Sequence, residues 1–262
     1  MRKIVILAVA ALSCMLVASV AQADQTLTAS IKPSKLDKKK PKPVTLVVDI
    51  RTADKGTAAG QNQPPDADRT IVDFPKNLKF DPTSVPNCAG TEAQLQNTTT
   101  ETATQICGKD SIVSVGGAVT VDNSSRSVTS PTGAFVTVAS SPVVPGSQQT
   151  LVPVQVTAFN GTDNNILYLH SRPTSLPVTN VLVGKLVKGS GQFGNRLDIT
   201  IPQLLAGGIS DFKTTVKNGK YVQAVCKSKK MPYAATTNYS DSPTTTATYN
   251  GKCTQKKSKK KK

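Results

Sequence analysis

Apolar and polar residues alternate with a period of two in many short runs of this chain, and residues two apart in an extended strand share one face. The alternating or β-branched runs are residues 26–31 (TLTASI), 44–50 (VTLVVDI), 71–74 (IVDF), 111–121, 134–139 (AFVTVA), 151–159 (LVPVQVTAF), 166–170 (ILYLH), 178–187, 193–201, 212–226 and 244–253. They predict roughly ten to twelve strands. Helix-period segments are almost absent; residues 91–96 and 202–205 suit one helical turn each. The pattern predicts an all-β fold, an immunoglobulin-like β-sandwich that is one large unit or two small ones divided near residues 140–150.

Turn residues set how these runs connect. Asn160-Gly161 opens a loop of about four to six residues and makes a hairpin of the flanking runs. Gly189-Ser190-Gly191 joins 178–187 to 193–201. Asn218-Gly219 within FKTTVKNGKYVQAVC predicts a type I′ hairpin, whose two central residues need φ > 0. Pro153 inside its run predicts an edge strand or a bulge. Residues 51–68, with Gly56, Gly60 and Pro64-Pro65, read as a loop.

Residues 1–23 have the plan of a secretory signal: Arg2-Lys3, an apolar run from Ile4 to Val20, then Ala21-Gln22-Ala23, which suits cleavage after Ala23. Ala11-Leu12-Ser13 before Cys14 departs from a lipobox. No later segment is apolar enough to span a bilayer. The reading is a secreted or envelope-associated protein with no transmembrane segment after cleavage.

Export changes the meaning of the cysteines. Losing Cys14 with the signal leaves Cys88, Cys107, Cys226 and Cys253, and an oxidising compartment favours their pairing. Four cysteines allow three connectivities. The preferred one is sequential, Cys88–Cys107 and Cys226–Cys253, because each pair then closes one local strand-loop-strand unit. The first would tether the long turn-rich passage between the runs at 71–74 and 111–121, and closing a loop of roughly 20 residues stabilises a fold by about 3 kcal/mol on the chain-entropy model.

The formal net charge is +16, but it is unevenly spread. Residues 32–42 carry six lysines against Asp37, and residues 252–262 carry seven lysines and no acid, whereas residues 43–251 are nearly balanced. Residues 24–43 read as a basic extended segment ahead of the sandwich region at 44–253, and residues 254–262 as a disordered lysine-rich tail. Lys256, Lys257, Lys259, Lys260, Lys261 and Lys262 are the candidate polyanion-binding residues. Their point charges suit anionic envelope polymers, with no specific nucleic acid implied.

Catalytic signals are sparse. His170 is the one histidine; on a strand it shares a face with Ile166 and Tyr168, and no GxSxG or other partnered nucleophile accompanies it. The cysteines lie too far apart for a zinc site. Asp66-Ala67-Asp68 and Asp163-Asn164-Asn165 offer oxygen ligands without calcium-loop spacing. Gly116-Gly117 and Gly207-Gly208 lack a phosphate-loop context. No catalytic residue, metal site or cofactor is therefore expected. Tryptophan is absent and other aromatics are few, which weakens sugar and single-strand nucleic-acid readings that need stacking platforms. Asn-x-Ser/Thr sites occur at Asn97, Asn123, Asn160 and Asn238.

FPKNLKFDPTSVPNC (74–88), CGKDSIVSVGGAVT (107–120), VTAFNGTDNN–ILYLH (156–170), LDITIPQLLAGGISDF (197–212) and the Cys-plus-polylysine ending resemble a loose group of uncharacterised secreted β-rich proteins of actinobacteria. The resemblance implies a secreted β-rich fold. It implies no activity, so no catalytic residues carry over.

Three functions are then in play. The leading one is a secreted, non-enzymatic β-sandwich held to the cell envelope by basic ends. The alternative is a carbohydrate- or protein-binding module using sandwich loops, which would need Tyr168, Tyr221, Tyr233 or Tyr239 clustered on one exposed face. The last is an extracellular hydrolase with His170 in a cleft beside a carboxylate and a hydroxyl.

Overall fold

The computed structural model describes residues 22–55, 65–115, 118–121, 126–129, 134–139, 151–174, 176–202, 208–240 and 243–256. The signal segment up to residue 21, the division expected at 140–150, Gly116-Gly117, most of the helical turn expected at 202–205 and the tail from residue 257 lie outside them.

Eleven strands form one continuous path of antiparallel ladders. In chain order they are β1 (Gln22–Lys32), β2 (Thr45–Lys55), β3 (Ala67–Pro75), β4 (Ala134–Ala139), β5 (Leu151–Asn160), β6 (Ile166–Pro173), β7 (Asn180–Lys188), β8 (Phe193–Thr200), β9 (Gly208–Val216), β10 (Lys230–Tyr239) and β11 (Thr245–Lys252). In space they run β1-β2-β9-β4-β5-β6-β7-β8-β3-β10-β11. The all-β expectation holds. An immunoglobulin-like sandwich is not what this pairing shows, because the strands join one sheet rather than two facing ones. The sheet is curled, with seven strands in a half-barrel.

The curl brings the path's ends together. The side-chain amide of Gln25 in β1 donates to Thr237 Oγ1 at 2.7 Å and accepts from Thr245 Oγ1 at 3.4 Å. No backbone ladder joins β1 to β11 among the described residues. Inside the curl lies the main core, where Leu27, Leu46, Val48, Val72, Phe74, Leu169, Ile199, Tyr221 and Tyr233 are buried. The alternation read from the sequence is what places them there: Leu167 and Leu169 of β6 face this core, while Tyr168 joins a second cluster on the outer side.

That outer cluster is covered by the stapled passage between β3 and β4. It contains two helices, α1 (Glu92–Leu95) and α2 (Thr100–Cys107). Thr91 caps α1 reciprocally with Gln94, and Thr99 accepts from the Thr102 amide to cap α2, each satisfying backbone donors that a helix start leaves open. The sequence pattern predicts a helical turn at 91–96, where α1 lies, but none in the threonine-rich stretch that forms α2. The signal missed was Thr100, Ala103 and Cys107 on one face, all of them buried. The disulfide Cys88–Cys107 closes the unit. Asn160 ties it to the sheet, its Nδ2 donating to Asn87 Oδ1 at 2.6 Å and Pro82 O at 3.0 Å. Asn160 is fully buried, so its Asn-x-Thr match is inaccessible in the folded chain.

Two local expectations are corrected. Asn218-Gly219 makes a turn, with Gly219 at φ +51° and the Tyr221 amide on Asn218 O at 2.8 Å, but not a hairpin. Asn218 Nδ2 donates to the Ile112 and Asp110 carbonyls. The chain beyond it leaves β9 for a small sheet, in which Val222–Ala224 lies between Lys42–Pro43 and Leu78–Phe80. Pro153 sits in an interior strand, not an edge. It is tolerated there because it pairs with Thr137 of β4 while the ladder to β6 begins at Val154, so a missing N–H costs no central ladder bond.

Candidate functional site, a lysine-rich pole

Leu36 is the anchor of the basic N-terminal segment. It is fully buried in the main core, which pins the otherwise exposed lysines of residues 32–42 to one end of the sheet. Beside it the chain's other end returns. Thr254–Gln255 pairs in parallel with Lys35–Leu36, with Thr254 N on Ser34 O at 2.9 Å and Lys256 N on Leu36 O at 2.8 Å.

A third segment completes the pole. The loop after the small sheet carries Lys227 and Lys229 and leads into Lys230 at the start of β10, and it is fixed by Cys226 N on Asp37 O at 2.8 Å and Cys253 N on Lys229 O at 3.1 Å. The disulfide Cys226–Cys253 crosses this junction, with its Cα atoms 5.9 Å apart. Gln255 Nε2 reaches back to the carbonyls of Cys226 and Lys227, at 3.0 and 3.1 Å. Both sulfurs are buried, so the staple sits beneath the lysines.

The result is one surface built from three segments. Lys32, Lys35, Lys38, Lys39, Lys40 and Lys42 come from the first, Lys227, Lys229 and Lys230 from the second, and Lys252 and Lys256 from the last; all are exposed. Asp37 is the acid among them. Charges of one sign held at one end attract a polyanion by summed point-charge interaction, at a strength that falls with ionic strength. Of the candidate tail lysines, Lys256 stands on this pole, and Lys257 to Lys262 lie outside the described residues.

The remaining candidates fall elsewhere. His170 is fully buried on the outer face of β6 beneath the helical cover. Its Nε2 lies 3.0 Å from Thr98 Oγ1, and its Nδ1 has no partner. Burial is the leading cause that holds its pKa below the usual imidazole value, and the nearby Arg172 charge adds to it. Arg172 itself donates to Thr98 O and Thr179 Oγ1. These contacts lock cover to sheet. Among the described residues no three His, Cys, Asp or Glu groups converge as metal ligands. Asp163 and Asn165 use their carbonyls for the β5–β6 loop, accepting from Ile166 N and Leu186 N.

Tyr168, Tyr221, Tyr233 and Tyr239 are all buried, so they offer no exposed aromatic platform. Burial alone pushes the Tyr221 hydroxyl upward, and chiefly burial does so for Tyr233. No helix among the described residues is long and apolar enough to cross a membrane. No protein-family model matches this chain, and no curated protein sequence matches it.

Proposed function

We propose that this is a secreted, non-enzymatic β protein that associates with anionic polymers of the cell envelope through the lysine-rich pole. The observation that carries the reading is the parallel pairing of Thr254–Gln255 with Lys35–Leu36. It joins two basic segments that are distant in sequence into a single charged surface. A merely solubilising set of lysines has no need of a buried disulfide and a third lysine-bearing loop at the same junction. The leader-like residues 1–23 and two disulfides agree with a chain that works outside the cytoplasm.

The test is co-sedimentation of the protein with purified host envelopes at low and high salt. One variant reverses Lys38, Lys39 and Lys40 to Glu; a control reverses the exposed Lys109, Lys188 and Lys220 to Glu, with the same change in net charge. Salt-sensitive binding that the pole variant loses and the control keeps supports the reading. Equal loss in both would mean that overall charge, not the pole, is responsible. Binding that neither salt nor the pole variant affects would overturn it.

A further inference from the structure

Two apolar cavities of about 60 Å³ each lie inside the curled sheet. They adjoin, since Val72, Leu169, Ile199 and Phe212 line both. Protein interiors are packed nearly as densely as organic crystals and leave few voids larger than a water molecule. Paired cavities within one sheet are the kind of concave, mostly apolar space that small-molecule sites use.

The two ends of this space differ. One cavity is walled almost wholly by aliphatic and aromatic side chains, among them Leu46, Phe74 and Leu197. The other carries Gln25, Thr70 and Thr237, and these are linked: Gln25 Nε2 donates to Thr237 Oγ1 at 2.7 Å, and Thr70 Oγ1 lies 3.2 Å from Thr237 Oγ1. Thr237 is buried, and a hydroxyl rotor there can donate to or accept from a visiting group. Among the described residues no charged side chain lines either cavity, so an ion would enter without a counter-charge, which is costly. Both ends have partly buried walls, Ala67 and Leu182 at the polar end and Phe80 and Val216 at the apolar one.

We infer that the interior of the curled sheet is a binding site for a small uncharged amphiphile, its apolar body between Phe74 and Leu197 and its hydroxyl or carbonyl head at the Gln25–Thr237–Thr70 chain. The size is set by the cavities: together they fall short of the engineered apolar cavity of about 150 Å³ that accepts benzene, so the ligand has about five non-hydrogen atoms. This site is independent of the lysine pole.

The probe is 1-butanol, titrated into the full mature protein while methyl resonances are followed by NMR, with butanoate at pH 7 as its charged counterpart. Saturable shifts at Leu169, Leu182 and Ile199, with Leu36 and Leu95 unmoved, are expected. Butanoate should bind at least tenfold more weakly, and Thr237→Val should weaken butanol about tenfold. Leu182→Trp should abolish the shifts. No saturable shift in the wild-type protein overturns the site whatever the variants do. Shifts of equal size at Leu36 and Leu95 overturn it too, as general solvation by the alcohol. Butanoate binding as tightly as butanol overturns the uncharged class of ligand.

Discussion

Removing the Cys226–Cys253 staple by a double substitution to alanine tests the link between fold and pole most directly. The bridge closes a segment of sequence separation 27. On the chain-entropy model such a loop contributes about 3.5 kcal/mol. For a domain of this size, each kcal/mol moves Tm by roughly 2–4 °C, so the double variant should melt about 7–14 °C lower. The structure adds a second expectation. With the bridge gone, the terminal strand is held by a two-residue ladder, the residue 253 N–Lys229 O bond and the Gln255 contacts. The lysine surface should loosen, and the protein should leave an anionic-polymer column at lower salt. Cys88→Ala with Cys107→Ala is the control. Its separation of 19 gives a similar loss of about 3 kcal/mol, but it lies under the helical cover and should elute at the wild-type position. Thermal unfolding followed by circular dichroism and salt-gradient elution read the two effects. A Tm drop under about 3 °C for the Cys226/Cys253 variant would refute the stabilisation argument. Identical elution of both variants would refute the claim that this staple organises the pole.

His170 should make stability pH-dependent. Its folded pKa is depressed chiefly by burial, so the folded state holds the neutral ring; the stability it contributes is full above the unfolded value of about 6.5 and is lost as pH falls below it. Arg172 opposes its protonation and Glu101 favours it. Chemical denaturation between pH 7.5 and 5 should show the decline in wild type, and a His170→Gln variant should show a flatter profile. Leu95→Ala should cost about 2–5 kcal/mol, because Leu95, the last residue of α1, is fully buried; urea unfolding measures it, and a loss below 1 kcal/mol would mean the cover packs loosely. Asp198 is held below the usual carboxylate range by hydrogen bonding from Arg69, so its contribution persists above about pH 4 and fades as pH falls through its lowered value; an Arg69→Gln variant should lose acid resistance in a pH 2–4 melt series. Arg196 makes two hydrogen bonds to the buried Asp73 directly opposite it in the β8–β3 ladder. Arg196→Ala should therefore destabilise by about 2–4 kcal/mol, below or at the range for breaking a fully buried pair.

What the sequence determined was local. The period-two runs located most strands, because alternation is forced on any strand with one face in a core. The cysteine positions favoured the sequential pairing that both disulfides have, as one of three connectivities. Asn160-Gly161 and Gly189-Ser190-Gly191 determined two hairpins, β5–β6 and β7–β8, because a short turn dictates its own pairing. The lysine blocks were visible, but as two separate ends. What only the tertiary structure decided was every choice between distant partners. Strand β9 pairs with β2 and β4 rather than with the segment after Asn218, because Asn218 is captured by carbonyls more than a hundred residues earlier. The curl into one sheet rather than two follows from such non-local pairings. Helix α2 escaped because a threonine-rich helix has weak intrinsic propensity and gains its stability from the buried face it sets on the sheet. The pole and the interior cavities are of the same kind. Each exists only where remote segments meet, and no local pattern of residues encodes where a chain will return to itself.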